Sequence, residues 1–213
     1  MEKIFKTNIS LMLPIEFYLQ PTEIVAKDLL GKALVKIIPD GNMLAGVIVE
    51  TEAYLASDDA ASHSAVGLTK RNSTMFGEGG LLYVYLIYGL HHCINVVTGD
   101  AGLGSAVLIR AIEPISGIEY MKQSRTSDVL ENLCKGPANL SKAFGFSLKD
   151  NNTSLLSSKL FIKEYQDFKD KDITVSKRIG IKKSADLPLR FFIKDNIFVS
   201  GRNVKKIRGI LNC

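Results

Sequence analysis

The amino-acid sequence predicts an α+β fold: a single domain in which a mixed or antiparallel β-sheet carries a protruding hairpin and is flanked by helices. Three observations carry this. Strand-like apolar runs follow one another across short turns, without the helix between each pair that a doubly wound parallel sheet requires. The 213 residues correspond to one domain, at most one and a half, at about 150 residues per domain. Two apolar runs, 81–88 and 92–98, flank Gly89 in the pattern of a hairpin.

The elements follow in chain order. Gln20-Pro21-Thr22-Glu23 opens a helix, because a proline in the first turn forfeits no hydrogen bond. Ile24, Val25, Leu29 and Leu30 form its apolar stripe, and Gly31 stops it. Residues 33–38 read as a strand closed by the turn Pro39-Asp40-Gly41, and 46–54 as a second strand. The hairpin comes next, then a strand at 106–112. Helices are predicted at 115–123 and at 137–144, the latter with Pro137 in its first turn. Short strands at 189–193 and 196–200 close the chain. The stretch 147–176 is rich in Ser, Asn, Lys and Asp, and the 37 residues after it are too few for a second core. It is read as a polar surface excursion within one domain spanning 1–213. No internal repeat or low-complexity tract is present.

Composition narrows the class. Hydrophobic residues at 46% and charged residues at 23% are ordinary for a globular protein and exclude collagen, coiled coil and long disorder. No apolar run reaches the roughly eighteen residues that span a membrane. The N-terminal segment mixes Lys3, Lys6 and Asn8 into its apolar residues and lacks the core and cleavage site of a signal peptide. Cys93, Cys134 and Cys213 make no disulfide framework. A cytoplasmic protein is expected. The net charge of +5 is unevenly spread. Residues 1–158 hold 13 basic and 16 acidic side chains, a net of −3, and residues 159–213 hold 14 and 6, a net of +8. That asymmetry fits a polyanionic partner. A solvated lysine-rich surface would look the same.

The chemistry-bearing residues are concentrated in the middle of the chain. Strand alternation puts Glu50, Glu52 and Tyr54 on one face, directly after an apolar run. Carboxylates beside a hydrophobic segment tend to hold their protons more tightly and can serve as bases. A half-exposed strand with a solvated polar face gives the same pattern. Asp58 and Asp59 are placed to cap a helix, with His63 about one turn in. The loop 75–80 is glycine-rich but matches neither a phosphate-binding loop nor the dinucleotide fingerprint. Three of the seven tyrosines fall within 83–88. Tyr83 and Tyr85 share a strand face, and Tyr88 takes the other face beside the hairpin turn, where it can push between bases. Tyrosine is also simply a good strand former. His91, Cys93 and Asn95 share a face, but no second Cys/His pair lies at ligand spacing, so no metal is expected. Arg110 closes the apolar run Val107-Leu108-Ile109 and calls for a carboxylate or phosphate partner.

These segments, in this order, resemble the alkyladenine (3-methyladenine) DNA glycosylase family. The matching pieces are Leu29-Leu30-Gly31-Lys32, Val49-Glu50-Thr51-Glu52-Ala53-Tyr54, Ala61-Ser62-His63-Ser64 and Gly67-Leu68-Thr69-Lys70-Arg71-Asn72. They continue through Met75-Phe76, Leu82-Tyr83-Val84-Tyr85, Tyr88-Gly89, Cys93-Ile94-Asn95 and Val107-Leu108-Ile109-Arg110-Ala111 to Lys135-Gly136-Pro137-Ala138 and Arg178-Ile179-Gly180-Ile181. Together they cover roughly residues 15–200. Lys70 stands where many relatives have proline, and Leu189 where bacterial relatives have a larger aromatic. The resemblance implies a bacterial-type member, since the long N-terminal extension of vertebrate relatives has no counterpart in this sequence.

The resemblance implies a monofunctional DNA glycosylase that excises alkylated or deaminated purines (3-methyladenine, 7-methylguanine, hypoxanthine) by base flipping and water attack at the sugar C1′. It assigns Glu52 as the general base and Arg110 as its partner at the water and the adjacent phosphate. Tyr54, His63 and Tyr85 become the walls around the flipped base, Asn95 the residue that disfavours guanine's exocyclic amine, and Tyr88 the wedge in the duplex. Glu50 receives a supporting role. No metal or organic cofactor is implied. The expected partner is double-stranded DNA containing damaged purines, bound by a nucleoid-associated monomer, with Arg71, Arg125 and Lys135 expected at phosphates. Two other classes use the same residues. A non-catalytic nucleic-acid-binding module would keep the tyrosines and the basic segment but has no use for a carboxylate such as Glu52 facing phosphate. A sugar hydrolase would use Glu50 and Glu52 as an acid–base pair, and the absence of tryptophan opposes it.

Overall fold

The computed structural model describes residues 11–201. Lys3, Lys6 and Asn8 of the N-terminal reading, and Arg202, Lys205, Lys206, Arg208 and Cys213 of the C-terminal one, lie outside the described residues. The fold is α+β, a curled antiparallel sheet with helices on one face.

Its centre is β2 (Met43–Tyr54), which pairs along its length with β5 (Ser105–Ser116). The other edge of β2 is shared. β1 (Ala33–Ile37) takes Met43–Val47, and β9 (Arg190–Ile193) takes Glu50–Glu52. The hairpin β3 (Leu81–Ile87) and β4 (His91–Thr98) joins through β4 to β5. β6 (Thr153–Ser154), β7 (Leu160–Lys163) and β8 (Ile173–Ser176) extend β3, β1 and β9 respectively. Every pairing is antiparallel, so the mixed alternative does not occur among the described residues. Register shifts between Ile48 and Thr51 leave Val49 on β2 and Arg110 on β5 without direct partners. Such bulges increase local twist and re-aim side chains, here at the point where β2 changes neighbours.

The helices are short. α1 (Ile15–Tyr18) and α2 (Thr22–Asp28) precede the sheet, and α3 (Ile118–Arg125), α4 (Leu130–Leu133) and α5 (Pro137–Ala143) follow β5. α2 packs on β2, and α5 packs on β4 and β5. Alternation divides the strands between two faces. Leu82, Val84, Ile94, Val96, Val107, Ile109 and Val49 join the main core with Leu29, Leu140 and Phe144. The opposite face keeps Tyr83, Tyr85, Cys93, Asn95, Leu108 and Arg110 for the site. Gly31 shows how tightly the polar stretch is applied to the sheet. Its φ is +88°, and a Cβ there would lie 2.2 Å from the Gln166 carbonyl oxygen.

Several sequence expectations need correction. The helix expected at 115–123 begins at Ile118, because β5 runs on to Ser116 by pairing with Ala45–Val47, and Pro114 is tolerated at a register shift opposite Gly46. No strand forms at 196–200. The Asn196 side chain accepts the Phe198 N–H and its carbonyl the Val199 N–H, a turn that brings the Ser200 N–H onto Glu50. Asp58 and Asp59 cap no helix. Ser62 caps the short 3-10 turn His63–Val66, and Asp59 is taken by Arg178. Tyr88 is not on a strand face, since β3 ends at Ile87. The stretch 147–176 supplies β6, β7 and β8. α1 and α4 are too short to leave a periodic signal.

Candidate active site

The site forms where the bulged centre of the sheet meets the 3-10 turn at His63–Val66 and the loop after β8. β2 brings Glu50, Glu52 and Tyr54 to one face, as strand alternation predicts, and Arg110 of β5 stands over both carboxylates. Glu50 and Glu52 are fully buried, and Arg110 is nearly so. Arg110 Nε donates to Glu50 Oε1 at 3.0 Å, and its Nη1 lies 3.2 Å from Glu52 Oε2. Glu50 also accepts from Arg190 Nε at 2.7 Å and from the Ser200 N–H at 2.6 Å. Two guanidinium groups therefore balance two buried carboxylates, the condition under which such charges are tolerated in an interior.

Glu52 accepts the Ile179 N–H on Oε1 at 2.7 Å and the Tyr54 hydroxyl on Oε2 at 3.0 Å. An ionised carboxylate offers about four lone-pair positions. Ile179, Tyr54 and Arg110 use three, which leaves one for a water. Burial pushes the Glu52 carboxyl above the ordinary carboxylate range, outweighing Arg110, the Ile179 N–H and Tyr54, with repulsion from Glu50 adding to the rise. Burial also raises the Tyr54 phenol, as does the neighbouring Glu52, so Tyr54 remains a donor.

Above these groups is a cavity of about 200 Å³. Tyr54, His63, Tyr85, Asn95, Arg71 and Arg110 line it, with Ile179 to Ile181 and Pro137 at its edges. It is smaller than the roughly 300–1,000 Å³ of typical small-molecule sites and has aromatic walls, a shape suited to one planar ring system. Glu52 is not among the lining residues. It stands behind Tyr54, Arg110 and Ile179, each of which touches both it and the cavity.

The His63 and Tyr85 rings meet edge-on at 4.5 Å between centroids, and His63 Nδ1 lies 2.9 Å from the Tyr83 hydroxyl. Burial, then Arg71, holds the His63 imidazole below its ordinary range, so it is neutral at pH 7. Asn95 is buried, and its Nδ2 donates to the Tyr83 carbonyl at 3.1 Å, which turns the amide. Arg71 donates to the Leu86 carbonyl and lies 5.8 Å from the centre of the Tyr85 ring, at the exposed mouth. Asn72 fastens this loop by bonding the carbonyls of His63 and Gly67.

At the tip of the hairpin, Tyr88 and Gly89 take φ of 53° and 69°, and the Leu90 N–H bonds the Ile87 carbonyl. This is the primed turn that suits strand twist, and glycine supplies the second positive φ without strain. Tyr88 has a Cβ and does not. A left-handed conformation costs an L-residue about 1–2 kcal/mol, yet the residue is 83% exposed, so little burial offsets this.

The remaining predicted residues are separate. Lys135 sits across from Ala111, one residue from Arg110, and its ammonium donates to the Ile197 carbonyl. Arg125 lies off the cavity, at the end of α3, bonded to the Leu133 carbonyl. Sequence reasoning missed Asp59, Arg178, Arg190 and the two backbone donors. Arg190 carried the signal that marked Arg110, a charge inside an apolar run. The backbone donors carry none. No group of three or more His, Cys, Asp and Glu side chains among the described residues could hold a metal. No helix among them is long and apolar enough to cross a membrane.

Comparison with known proteins places this geometry in context. A family model described as methylpurine-DNA glycosylase matches residues 16–197. A protein of Francisella tularensis subsp. tularensis, named "Putative 3-methyladenine DNA glycosylase", is 51% identical over 178 residues, covering 82% of this chain and 91% of that protein. Proteins of the same name from Chlorobium phaeobacteroides and Methanoculleus marisnigri are 46% and 47% identical, over 90% and 89% of this chain and 96% and 99% of theirs.

Proposed function

The chain belongs to the methylpurine-DNA glycosylase family, and from that membership we propose that it excises alkylated and deaminated purines from duplex DNA, with Glu52 as general base. The observation that supports the residue roles is the grouping of Tyr54, His63, Tyr85 and Asn95 around a base-sized cavity that Arg110 also lines, with Glu52 paired to Arg110 just behind the wall.

In this reading a damaged nucleotide rotates out of the duplex, its base enters the cavity, and Tyr88 fills the gap it leaves. Water attacks C1′ while the C1′–N bond breaks toward the base. Glu52 takes the proton from the water, using the lone pair that Ile179, Tyr54 and Arg110 leave free. An alkylated base that carried positive charge departs neutral, and a neutral purine takes up a proton from solvent water as it leaves. The products are the free base and an abasic sugar. Extrusion costs a few kcal/mol, and stacking between aromatic walls returns about 1–3 kcal/mol per base. Phosphates are met by Arg71 and Lys135 near the cavity and by Arg125 farther off. The strained, exposed Tyr88 supports the wedge role, since strain of this kind persists where function requires it.

The experiment that tests the proposal is release of free base from duplexes carrying 7-methylguanine or hypoxanthine. No release from any alkylated or deaminated purine, with duplex binding intact, would leave a non-catalytic binding module instead. Two further outcomes are expected. Tyr88→Ala lowers excision from a fully paired duplex by about ten- to a hundredfold and much less from single-stranded DNA, which needs no gap filled. Equal losses on both substrates would refute the wedge. The pH–rate profile on 7-methylguanine, whose leaving group needs no proton, rises with pH as Glu52 ionises. Its acid limb lies above the ordinary glutamate value of about 4.3, because burial raises this carboxyl. A limb at or below that value contradicts the assignment.

A further inference from the structure

The Tyr54 wall has a second charged pair behind it that none of the roles above uses. Asp59 and Arg178 form a bidentate ion pair, with both Nη groups 2.6 Å from the carboxylate oxygens and both side chains without exposure. Asp59 also accepts the Leu55 and Ala61 N–H groups. Arg178 donates onward to the Ala53 and Ser184 carbonyls, and its Nε has no partner. The guanidinium carbon lies 4.6 Å from the centre of the Tyr54 ring. Tyr54 lines the cavity and Arg178 does not, so the cation is on the side of the ring away from the cavity. A buried ion pair is seldom better for stability than apolar residues of similar volume. The placement therefore points to a role in the pocket.

We infer that Arg178, braced by Asp59, is a specificity-determining positioning residue: it draws the electron density of the Tyr54 ring away from the cavity and biases the pocket toward neutral purine lesions over cationic ones. This inference rests on the glycosylase reading above. A cation is attracted to an aromatic face by the ring's negative quadrupole, and a guanidinium already seated on one face reduces what the other can offer. The rest of the lining agrees. Its charged side chains are Arg71 and Arg110, both positive, and it includes no carboxylate. Arg71 stands near the second tyrosine wall, Tyr85. His63 is held toward its neutral form and adds no charge of its own. Arg110 is balanced by the carboxylates behind it, which leaves Arg71 as the lining charge outside an ion pair among the described residues, and a cationic base entering the cavity carries the same sign.

The test compares single-turnover excision of 7-methylguanine, a cation, with that of hypoxanthine, which is neutral, in the wild type and in Asp59→Asn/Arg178→Met. The double variant removes both charges together and leaves neither uncompensated. Because Arg178 precedes Ile179, which holds Glu52, both rates fall, but a purely structural effect lowers them alike. The ratio of cationic to neutral excision is expected to rise about two- to fivefold. An unchanged or lowered ratio overturns the inference. Should the variant not fold by circular dichroism, the wild type decides by inhibition. Free 9-methyladenine is expected to compete better than 7,9-dimethyladeninium, a cation that differs from it by one methyl group and the charge, and the reverse order overturns the inference. If the wild type releases neither base, the glycosylase reading has failed rather than this one.

Discussion

Glu52→Gln is expected to lower base excision by about 10²–10⁴-fold, the usual contribution of a positioned general base, while duplex binding persists. The substitution is nearly isosteric. Its amide oxygen still accepts the Ile179 N–H that holds Glu52 Oε1 at 2.7 Å, and the Tyr54 hydroxyl that now donates to Oε2 can turn to accept from the amide nitrogen. What disappears is the capacity to take a proton from water and the charge opposite Arg110. Excision is measured by single-turnover release from a 7-methylguanine duplex, and binding by titration of the same duplex. Activity within about threefold of wild type would remove Glu52 from the chemistry. Loss of binding in parallel would instead mean that the site had collapsed.

The second large effect is on stability. Glu50→Ala is expected to cost about 3–5 kcal/mol, the usual result of deleting one partner of a buried charge network. Glu50 accepts from Arg110, from Arg190 and from the Ser200 N–H, and all of these groups are buried. Without it two guanidinium groups face each other across an empty position. Arg110 also loses the bond to its Nε, so the Nη1 contact to Glu52 loosens and activity falls with stability. For a domain of this size each kcal/mol lowers Tm by about 2–4 °C, so a drop of about 10 °C is expected in thermal melts followed by circular dichroism. Glu50→Gln, which keeps one acceptor, falls between the two. An unchanged Tm for the alanine variant would show that solvent reaches these arginines and that the network carries little.

The two carboxylates illustrate what could and could not be read beforehand. Strand alternation placed Glu50, Glu52 and Tyr54 on one face from their spacing alone. Nothing in that spacing separated a proton acceptor from a structural counterion. The difference comes from partners elsewhere in the chain: Arg190 and Ser200 commit Glu50 to the interior, whereas Ile179 and Arg110, with the nearby Tyr54, leave Glu52 one lone pair. The hairpin was legible because a glycine between two apolar runs is a local signal. The place of Tyr88 within the turn was not, because its left-handed backbone is imposed by strand twist and is unfavourable for its own residue type. The expected strand at 196–200 failed for a related reason. Its apolar residues Ile197, Phe198 and Val199 fit a strand locally, but the segment has to turn so that the Ser200 N–H reaches Glu50.

By itself the sequence determined the fold class, the order of the principal strands, the resemblance to a family and the residue types of the aromatic pocket. Each of these is written in short-range periodicity or in contiguous motifs, where neighbouring residues carry the information. Only the tertiary structure decided which charges neutralise which, that Glu52 stands behind the cavity wall, and that Asp59 and Arg178 are joined beneath Tyr54. Those contacts link residues from 60 to 140 positions apart. Their formation depends on β2 exchanging one neighbour for another at a bulge, a result of sheet closure that no local pattern encodes.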